Sequence, residues 1–463
     1  MKNKSKFPSG IPYIIGNEAA ERFSFYGMKA ILTTFLVARF YNPAHAPELQ
    51  AEAEAHANNI THLFNTMVYF LPLAGAIISD WFWGKYKTII ILSLVYCLGH
   101  AFLSAFDTNL TGFLCGLMLI AMGSGGIKPC VSANVGDQFD ESNRHLLTKA
   151  YSFFYFSVNF GSFFSILLTP LIMRNFGAAW AFGVPGILMG IATLLFFLGR
   201  KKYRRLPPSG PKKENFLAIT FYALKHFGQR KAAGSLLSVA KQKYSAESVE
   251  GVRSVWKILS VFSIVPVFWA LSDQNGSEWV LQATKMDLHF MGHTFLAEQV
   301  QAMNPILVLI FIPLFNFGLF PLLKKMGMDP TPYGKIAAGL ICTAISFIFI
   351  YGIQLRIDAG ETPTIGWQLI AYVIITAGEV LVYQTGLEYA YTQAPASMKS
   401  TIMAFWLLTA SIGNYIVSGI NESIANHGIF SFLSGADYYL FFIILMSSTT
   451  LVYMLLSKKI FSK

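Results

Sequence analysis

Four charged side chains fall within the first apolar stretch of the chain: Glu18, Glu21, Arg22 and Lys29. A charge in the middle of a membrane-spanning helix costs about 2.5 to 3.5 kcal/mol if it faces lipid. At about 100° per residue, these positions share one stripe of a helix. We therefore expect the stripe to line a wet or ion-paired interior, where carboxylates can take up and release protons. A static cluster of ion pairs that only joins helices is the alternative interpretation.

Polar side chains in other apolar stretches have the chemistry needed to bind a zwitterion. A zwitterionic solute needs a cation for its carboxylate, a carboxylate for its ammonium group, and amide partners between them. Lys29 and Lys128 can meet the first need and Glu379 the second. Asn159 and Asn304 each offer a donor and an acceptor, which suits a peptide bond. A lone intramembrane Asn more often forms a hydrogen bond between helices, so that interpretation stays open.

Two further ionisable residues, His62 and Asp273, also lie in apolar stretches. The first half of the chain thus places cations and acids in such stretches, whereas the second half places only acids there. Aromatic rings can wall a pocket that accepts varied side chains, although with 15% aromatic residues any one of them can be simple core. The aromatic candidates are Tyr26, Tyr69, Tyr155, Trp269 and Trp406.

The composition indicates that membrane-spanning helices position these residues. Of the 463 residues, 54% are hydrophobic and 13% are charged, against roughly 45–50% and 25% in soluble domains. Apolar runs such as 89–106 and 306–323 approach the roughly 20 residues that cross a bilayer core. A soluble enzyme is therefore not expected. The four cysteines form no CxxC pattern or cluster, so neither a disulfide framework nor a zinc site is indicated, and we expect no cofactor.

The order of the apolar runs predicts an all-α membrane protein with twelve transmembrane helices in two groups of six. Residues 1–198 form an N-terminal six-helix bundle, 199–255 a cytoplasmic linker with one short amphipathic surface helix at 216–227, and 256–463 a C-terminal six-helix bundle. The predicted spans lie near residues 12–40, 58–80, 87–106, 110–135, 148–171, 178–198, 256–281, 299–323, 334–355, 366–392, 400–424 and 437–457.

The net charge of +11 fits this topology and does not indicate nucleic acid as a partner. With both termini in the cytoplasm, 28 of the 35 Lys and Arg residues lie on the cytoplasmic side. Fourteen of them fall between Arg200 and Lys257. This distribution follows the positive-inside rule. We therefore expect a multi-pass protein of the cell membrane, in contact with lipid.

The segment Gly75–Lys87 carries a recognisable loop. A predicted helix ends with Asp80, a tight turn follows, and the next helix begins with the basic residues Lys85 and Lys87. This resembles the loop between helices two and three of the major facilitator superfamily, although any basic inner loop is an alternative. The equivalent loop of the second half, Gly318–Lys335, follows the same pattern less closely, as expected for two six-helix repeats.

Longer motifs resemble the proton-dependent oligopeptide transporter family, in its branch closest to the animal di- and tripeptide transporters. They follow one another in the family's order and cover the chain nearly end to end. The motifs are Glu18-Ala19-Ala20-Glu21-Arg22-Phe23, Gly125-Gly126-Ile127-Lys128-Pro129, Phe154-Tyr155-Phe156-Ser157-Val158-Asn159, Phe268-Trp269-Ala270-Leu271-Ser272-Asp273 and Gly378-Glu379-Val380-Leu381.

The resemblance implies a proton-coupled symporter, not an enzyme, that imports di- and tripeptides by alternating access. A symporter of the same family for another small solute, such as nitrate or a metabolite, is the alternative. The implied proton-coupling residues are Glu18, Glu21, Arg22, Lys128, Asp273 and His62. The implied substrate-binding residues are Lys29 and Lys128 for the peptide carboxylate, Glu379 for the amino terminus, Asn159 and Asn304 for the peptide backbone, and the five aromatic candidates.

Three departures from the family pattern affect these expectations. Lys29 stands where the family usually has an arginine, so the bidentate fork is lost. Phe25 replaces a tyrosine. The linker is too short for the two extra helices of many bacterial relatives. We expect the ion pairs Lys29–Asp273 and Lys128–Glu379 to close the outer side, while side-chain preference, proton stoichiometry and oligomeric state stay open.

Overall fold

The computed structural model describes residues 7–42, 49–208, 210, 214–231, 234–393, 395 and 398–461. Within these ranges the chain folds into α-helices joined by short turns. The helices are α1 (Ile11–Phe40), α2 (Gln50–Ile78), α3 (Gly84–Ala105), α4 (Leu110–Asp137), α5 (Leu147–Phe176), α6 (Ala178–Leu198), α7 (Phe216–Lys225), α8 (Ala246–Phe262), α9 (Val265–Ser272), α10 (Glu278–Ala283), α11 (Met303–Pro313), α12 (Phe320–Lys325), α13 (Pro332–Asp358), α14 (Gly366–Gln393), α15 (Lys399–Ala425) and α16 (Ala436–Phe461).

A small hairpin follows α10. Its strands, β1 (His289–Phe290) and β2 (His293–Thr294), pair antiparallel, with His289 opposite Thr294. Met291 and Gly292 form the turn and both have positive φ. The hairpin is too short to change the helical character of the fold.

Hydropathy of the described residues agrees with twelve spans. Nine described stretches are long and apolar enough to cross a membrane, and the bent pair Ala246–Phe262 and Val265–Ala283 makes a tenth. One of the nine, Gln50–Ala105, contains both α2 and α3, which a π-helical turn joins. The remaining span is α1, whose charged stripe lowers its hydropathy. The predicted all-α architecture with twelve spans therefore agrees with the described helices.

The seventh span differs from the continuous helix expected at 256–281. It begins at Ala246, inside the segment predicted as linker, and bends by 44° between α8 and α9. Pro266 lies in the first turn of α9, where its missing N–H and fixed φ favour a new helix start. A 3₁₀ turn, Asp273–Gly276, then separates α9 from α10. This broken backbone places polar residues at membrane depth.

Each six-helix half has its own hydrophobic core. We call α1 to α6 the N-half and α8 to α16 the C-half. Their large buried clusters are separate, and that of the C-half also includes Ala55 of α2 and the buried face of α7. Glycines let helices approach closely, as expected from the Gly-rich start of the Lys128 motif. A Cβ atom added to Gly75 of α2 would lie 2.4 Å from Cα of Gly126 in α4, so only glycine fits there.

The linker divides between the two halves. Its first part packs on the N-half, where the backbone N–H of Arg204 donates to Gln138 Oε1 at 2.9 Å. Its helix α7, found close to the predicted position, packs on the C-half through Phe216, whose ring centroid is 5.1 Å from that of Phe405. We call the side of the molecule that carries this segment the linker side, and the opposite one the far side.

Candidate functional site

The charged stripe of α1 forms a compact, buried group that we call the charge cluster: Glu18, Glu21 and Arg22. Arg22 Nε lies 2.7 Å from Glu18 Oε1 and 3.1 Å from Glu21 Oε2. Ser124 of α4 donates from Oγ to Glu21 Oε1 at 2.9 Å. The 3.6-residue period of the helix brings these positions to one face. One guanidinium therefore pairs with two carboxylates that are nearly inaccessible to solvent, and with both ionised the charge cluster carries a net charge of −1.

Lys128 of α4 points toward aromatic rings. Its Nζ lies 4.1 Å from the centroid of the Phe25 ring and 5.4 Å from that of Tyr69. Both distances allow a cation–π interaction. The expected ion pair between Lys128 and Glu379 is not formed: Lys128 Nζ lies against these two rings of the N-half, and Glu379 is bonded to Asn304 in the C-half.

The C-half contributes an acid and an amide that are joined to each other. Asn304, at the start of α11, donates from Nδ2 to Glu379 Oε2 of α14 at 2.7 Å and also lies 3.2 Å from Thr376 Oγ1. The two residues predicted for the amino and backbone groups of a peptide are thus neighbours. An amide that binds one carboxylate oxygen leaves the other available to an ammonium group.

Aromatic side chains surround Trp269 of α9. Its ring centroid lies 6.4 Å from Tyr69, 6.0 Å from Tyr383 and 6.5 Å from Trp406. The indole N–H of Trp269 is buried without a hydrogen-bond partner. Tyr383 was not among the candidates, although it lies one helical turn after Glu379. This aromatic wall takes one ring from the N-half and three from the C-half.

Two tyrosines of the N-half face the same region. Tyr155 of α5 lies within charge-interaction range of Tyr26, Glu379 and Tyr383. Tyr155 and Tyr383 are 40% and 42% exposed although both lie within predicted spans. Asn159 donates from Nδ2 to the backbone oxygen of Tyr155 at 3.0 Å, within its own helix. Its predicted role toward substrate stays a prediction.

His62 and Asp273 lie outside the charge cluster and meet through a third residue. Asn414 of α15 donates from Nδ2 to Asp273 Oδ2 at 2.6 Å, and its Oδ1 lies 2.8 Å from His62 Nδ1. Because a carboxamide oxygen only accepts, Nδ1 carries the hydrogen in this contact. His62 Nε2 lies 2.9 Å from Ser277 Oγ. The predicted proton-coupling set therefore divides into two groups.

Lys29 lies beside the broken turn of the seventh span. A Cβ atom added to Gly276 would lie 3.6 Å from Lys29 Cε and 4.0 Å from Lys29 Nζ. The expected ion pair between Lys29 and Asp273 is not formed: the ammonium group of Lys29 lies beside Gly276, and Asp273 is bonded to Asn414.

Further contacts join the halves near the far side. Lys285 Nζ lies 2.7 Å from Glu54 Oε1, and Asn58 donates to a carboxylate oxygen of Glu278. Together with the His62–Asn414–Asp273 group they are the gate contacts. Two more inter-half hydrogen bonds lie on the same side, from Thr34 to Glu298 at 2.8 Å and from Ser418 to Asn59 at 2.5 Å. The sequence marks Glu278 as an acid of the seventh span, but no sequence pattern indicated which residues pair in these contacts.

A cavity of about 280 Å³ lies at the far side between the halves. It lies beside the Lys285–Glu54 and Asn58–Glu278 contacts, and it is distinct from the aromatic wall around Trp269. Its charged lining residues are Glu54, Glu278, Lys285 and Asp358. Among the residues that the structure describes, no group of three or more His, Cys, Asp or Glu side chains is arranged to hold a metal ion.

Two six-helix halves around a charged interior define the major facilitator superfamily fold. The sequence profile PTR2, described as the POT family, matches residues 86–431. The chain therefore belongs to the POT family, which is a family of transporters and not of enzymes.

Curated relatives agree with this family. The chain is similar to "Solute carrier family 15 member 2" of Oryctolagus cuniculus, with 37% identity over 395 residues, which cover 81% of this chain and 53% of the relative. It is also similar to "Peptide transporter family 1" of Drosophila melanogaster, with 38% identity over 370 residues, 76% of this chain and 48% of the relative. The chain spans about half the length of these curated relatives.

Solved structures match over almost the whole chain. The crystal structure of the POT family transporter PepTSo is 41% identical, covers 99% of both chains and superposes with a TM-score of 0.91. The structure described as an auto inhibited POT family peptide transporter is 38% identical, covers 97% of both chains and gives a TM-score of 0.88.

Proposed function

We propose that the chain is a proton-coupled symporter that imports di- and tripeptides by alternating access between its halves. The observation that carries the proposal is the charge distribution around the centre. The N-half supplies the cations Lys29 and Lys128, while the C-half supplies Glu379 with its amide partner Asn304. Lys29 lies within charge-interaction range of Glu379. A zwitterion can therefore bridge the two halves, and the names of the relatives support a peptide in this role.

The peptide groups have distinct partners in this proposal. The ammonium group binds the second carboxylate oxygen of Glu379, beside Asn304. The peptide carboxylate binds Lys29 and Lys128. Neither lysine forms an ion pair with a carboxylate among the residues that the structure describes. A lysine ammonium group is a compact charge and cannot form the two parallel hydrogen bonds that an arginine guanidinium makes to a carboxylate. The orientation of the peptide carboxylate is therefore less strictly fixed. The aromatic wall around Trp269 contacts the side chains.

Proton coupling belongs to the charge cluster. Glu18 and Glu21 share Arg22, so a proton that neutralises one carboxylate leaves Arg22 fully paired with the other. The cluster thus changes charge without breaking apart. Protonation also changes the field at Lys128, which interacts with both carboxylates. This links the proton to the site where the peptide carboxylate binds.

The driving force is adequate for nutrient uptake. One proton that moves through about 100 mV gains roughly 2.3 kcal/mol. Since about 1.4 kcal/mol corresponds to a tenfold ratio, this energy supports roughly fifty-fold accumulation of a neutral zwitterion. ATP is not needed at that magnitude.

We infer that the described conformation is open toward the linker side, and that this side is cytoplasmic. The gate contacts hold the halves together near the far side, while Tyr155 and Tyr383 remain partly exposed at the centre. The segment between Arg200 and Lys257 carries fourteen Lys and Arg against three acidic residues, which supports a cytoplasmic position by the positive-inside rule. Both termini then lie in the cytoplasm of a cell-membrane protein.

Peptide-driven acidification tests the proposal. The full chain is reconstituted in sealed vesicles that contain a pH-sensitive dye, and a dipeptide is added outside. We expect internal acidification that saturates with dipeptide and is absent in protein-free vesicles. The N-acylated, C-amidated form of the same dipeptide serves as control and should give little signal. Acidification by nitrate and none by dipeptides would overturn the proposal in favour of another solute.

A further inference from the structure

The linker helix α7 has two apolar faces, which a helix at a water surface does not have. Phe216, Ile219 and Ala223 are buried. Leu217, Phe221 and Leu224 are 72%, 71% and 54% exposed. At about 100° per residue each set forms one stripe, and the two stripes are roughly 130° apart around the helix. The sequence prediction of a simple amphipathic surface helix is therefore incomplete, because the outward stripe also needs an apolar partner.

The C-half already covers the first stripe. Phe216 packs with Phe405 of α15 and with Trp256 of α8, at ring-centroid distances of 5.1 Å and 5.6 Å. Trp256 is itself partly exposed and its indole N–H lies 3.4 Å from Thr220 Oγ1 of α7. The protein thus holds α7 so that the second stripe points outward.

The position of α7 puts the outward stripe beside a membrane span. Helix α8 continues through the bend into α9 and α10 as the seventh span. Trp256 lies near the middle of α8, and tryptophan favours the level where lipid headgroups meet acyl chains. The stripe next to it is therefore held at the membrane interface on the linker side.

Positive charge lies at the C-terminal end of α7 and on the side of the helix that carries Tyr222. Arg230 lies with its guanidinium carbon 3.8 Å from the centroid of the Phe227 ring, and Lys243 Nζ lies 5.3 Å from that of Tyr222. Lys225 ends α7 beside Leu224. The nearby acid Glu250 already pairs with Lys241 and Arg253. Among the described residues, no ion pair is formed by Lys225, Arg230 or Lys243, so their charges are available to an anionic surface.

We propose that the outward face of α7, formed by Leu217, Phe221 and Leu224 and flanked by Lys225, Arg230 and Lys243, binds anionic phospholipid of the membrane leaflet on the linker side. The apolar stripe enters the boundary between headgroups and acyl chains, and the three cations bind lipid phosphates. Charge complementarity selects this partner over a second copy of the chain, because two copies would bring six like charges together. The inference does not depend on which solute is transported.

Photo-crosslinking in a bilayer tests the proposal. The full chain carries benzoylphenylalanine in place of Phe221, which keeps an aromatic side chain there. It is reconstituted in phosphatidylcholine vesicles with about one-quarter phosphatidylglycerol, and adducts are identified by mass spectrometry after irradiation. We expect lipid adducts in which phosphatidylglycerol is enriched about twofold or more over its bulk share. The same substitution at Leu94, an exposed position within α3, serves as control and should reproduce the bulk share.

A charge variant separates the two parts of the proposal. The changes Lys225→Gln, Arg230→Gln and Lys243→Gln are combined in the chain labelled at position 221. We expect lipid adducts to persist while the phosphatidylglycerol enrichment falls to the bulk share. High salt should have the same effect. Adducts to a second copy, an absence of lipid adducts, or an unenriched lipid share in the chain with native charges would each overturn the proposal.

Discussion

The charge cluster and the gate contacts are both buried polar networks, but they differ in which parts of the molecule they join. Glu18, Glu21 and Arg22 all belong to one helix, so their contacts are independent of the arrangement of the halves. His62 and Asp273 belong to opposite halves and are bridged by Asn414. Movement of one half against the other must break the second network and can leave the first intact.

This difference assigns the two networks different tasks in a transporter. A network that survives the movement can carry a proton through the whole cycle. A network that breaks and re-forms sets the relative free energies of the far-side-closed and far-side-open states. We therefore expect variants of the charge cluster to change coupling, and variants of the gate contacts to change the populations of the states.

The change Glu21→Gln should have the largest effect. It removes the charge of one of the two carboxylates that share Arg22, while the amide oxygen of glutamine can still accept from Ser124 Oγ. We expect uptake driven by a pH gradient to fall about 100-fold or more, since the coupling group no longer titrates. Exchange of labelled for unlabelled dipeptide across the same vesicles should continue. Glu388→Gln, at an exposed acid of α14, is the matched control. Equal loss of uptake and exchange would remove Glu21 from the coupling role.

The change Glu379→Gln tests an acid that belongs to neither network. It keeps the contact to Asn304 but removes the charge that an ammonium group needs. A hydrogen bond to a charged group contributes about 1.5 to 3 kcal/mol, so affinity for a free dipeptide should fall roughly 10- to 100-fold. Competition assays compare this peptide with its N-acylated form, whose affinity should change little. Equal losses for both forms would contradict an amino-binding role.

The change Asn414→Ala should act on the populations of states. It removes the bridge between His62 and Asp273 and leaves both without that partner. Buried groups that lose a hydrogen bond cost about 1 to 3 kcal/mol, so the far-side-open state should gain roughly tenfold. Double electron–electron resonance between spin labels at Thr108 and Ile429, in a chain without native cysteines, reads this opening. Asn426→Ala, at an amide beyond the end of α15, is the control. An unchanged distance distribution would argue that the bridge is not part of the gate.

The pair Glu54–Lys285 should have the smallest effect. Its side chains are 12% and 33% exposed, and ion pairs that reach solvent contribute about 1 kcal/mol or less. A double-mutant cycle with Glu54→Gln and Lys285→Met, read with the same spin labels, should give a coupling of about two- to fivefold that weakens in high salt. A coupling as large as the effect of Asn414→Ala would place the principal gate contact at this outer pair instead.

The sequence predicted the fold well because a bilayer constrains helices strongly. Apolar runs of the right length are visible without knowledge of packing, and most helix ends lie close to the predicted ones. The start of α2 at Gln50 was missed because the helix extends into a polar segment beyond the apolar run. The bend before Pro266 was missed because the apolar run continues through it.

The sequence predicted which residues belong to the site better than it predicted which of them bond to one another. Charged residues in spans are conspicuous, so Glu18, Glu21 and Arg22 were found as a group. Asn414 and Ser277 were missed because a single Asn or Ser in an apolar helix resembles an ordinary helix contact. The expected pair Lys29–Asp273 is not formed because Lys29 lies beside Gly276 while Asn414 binds Asp273, and both positions depend on how the halves meet and not on spacing along the chain.

The number of protons moved per peptide, measured in sealed vesicles for the native chain and two variants, tests the central claim most directly. The claim is that coupling lies in the charge cluster of one helix and gating lies in the contacts between halves. We predict that Asn414→Ala keeps the native ratio of protons to peptide although its rate changes, and that Glu21→Gln moves peptide with no associated protons. A changed ratio in Asn414→Ala, or a native ratio in Glu21→Gln, would contradict the claim.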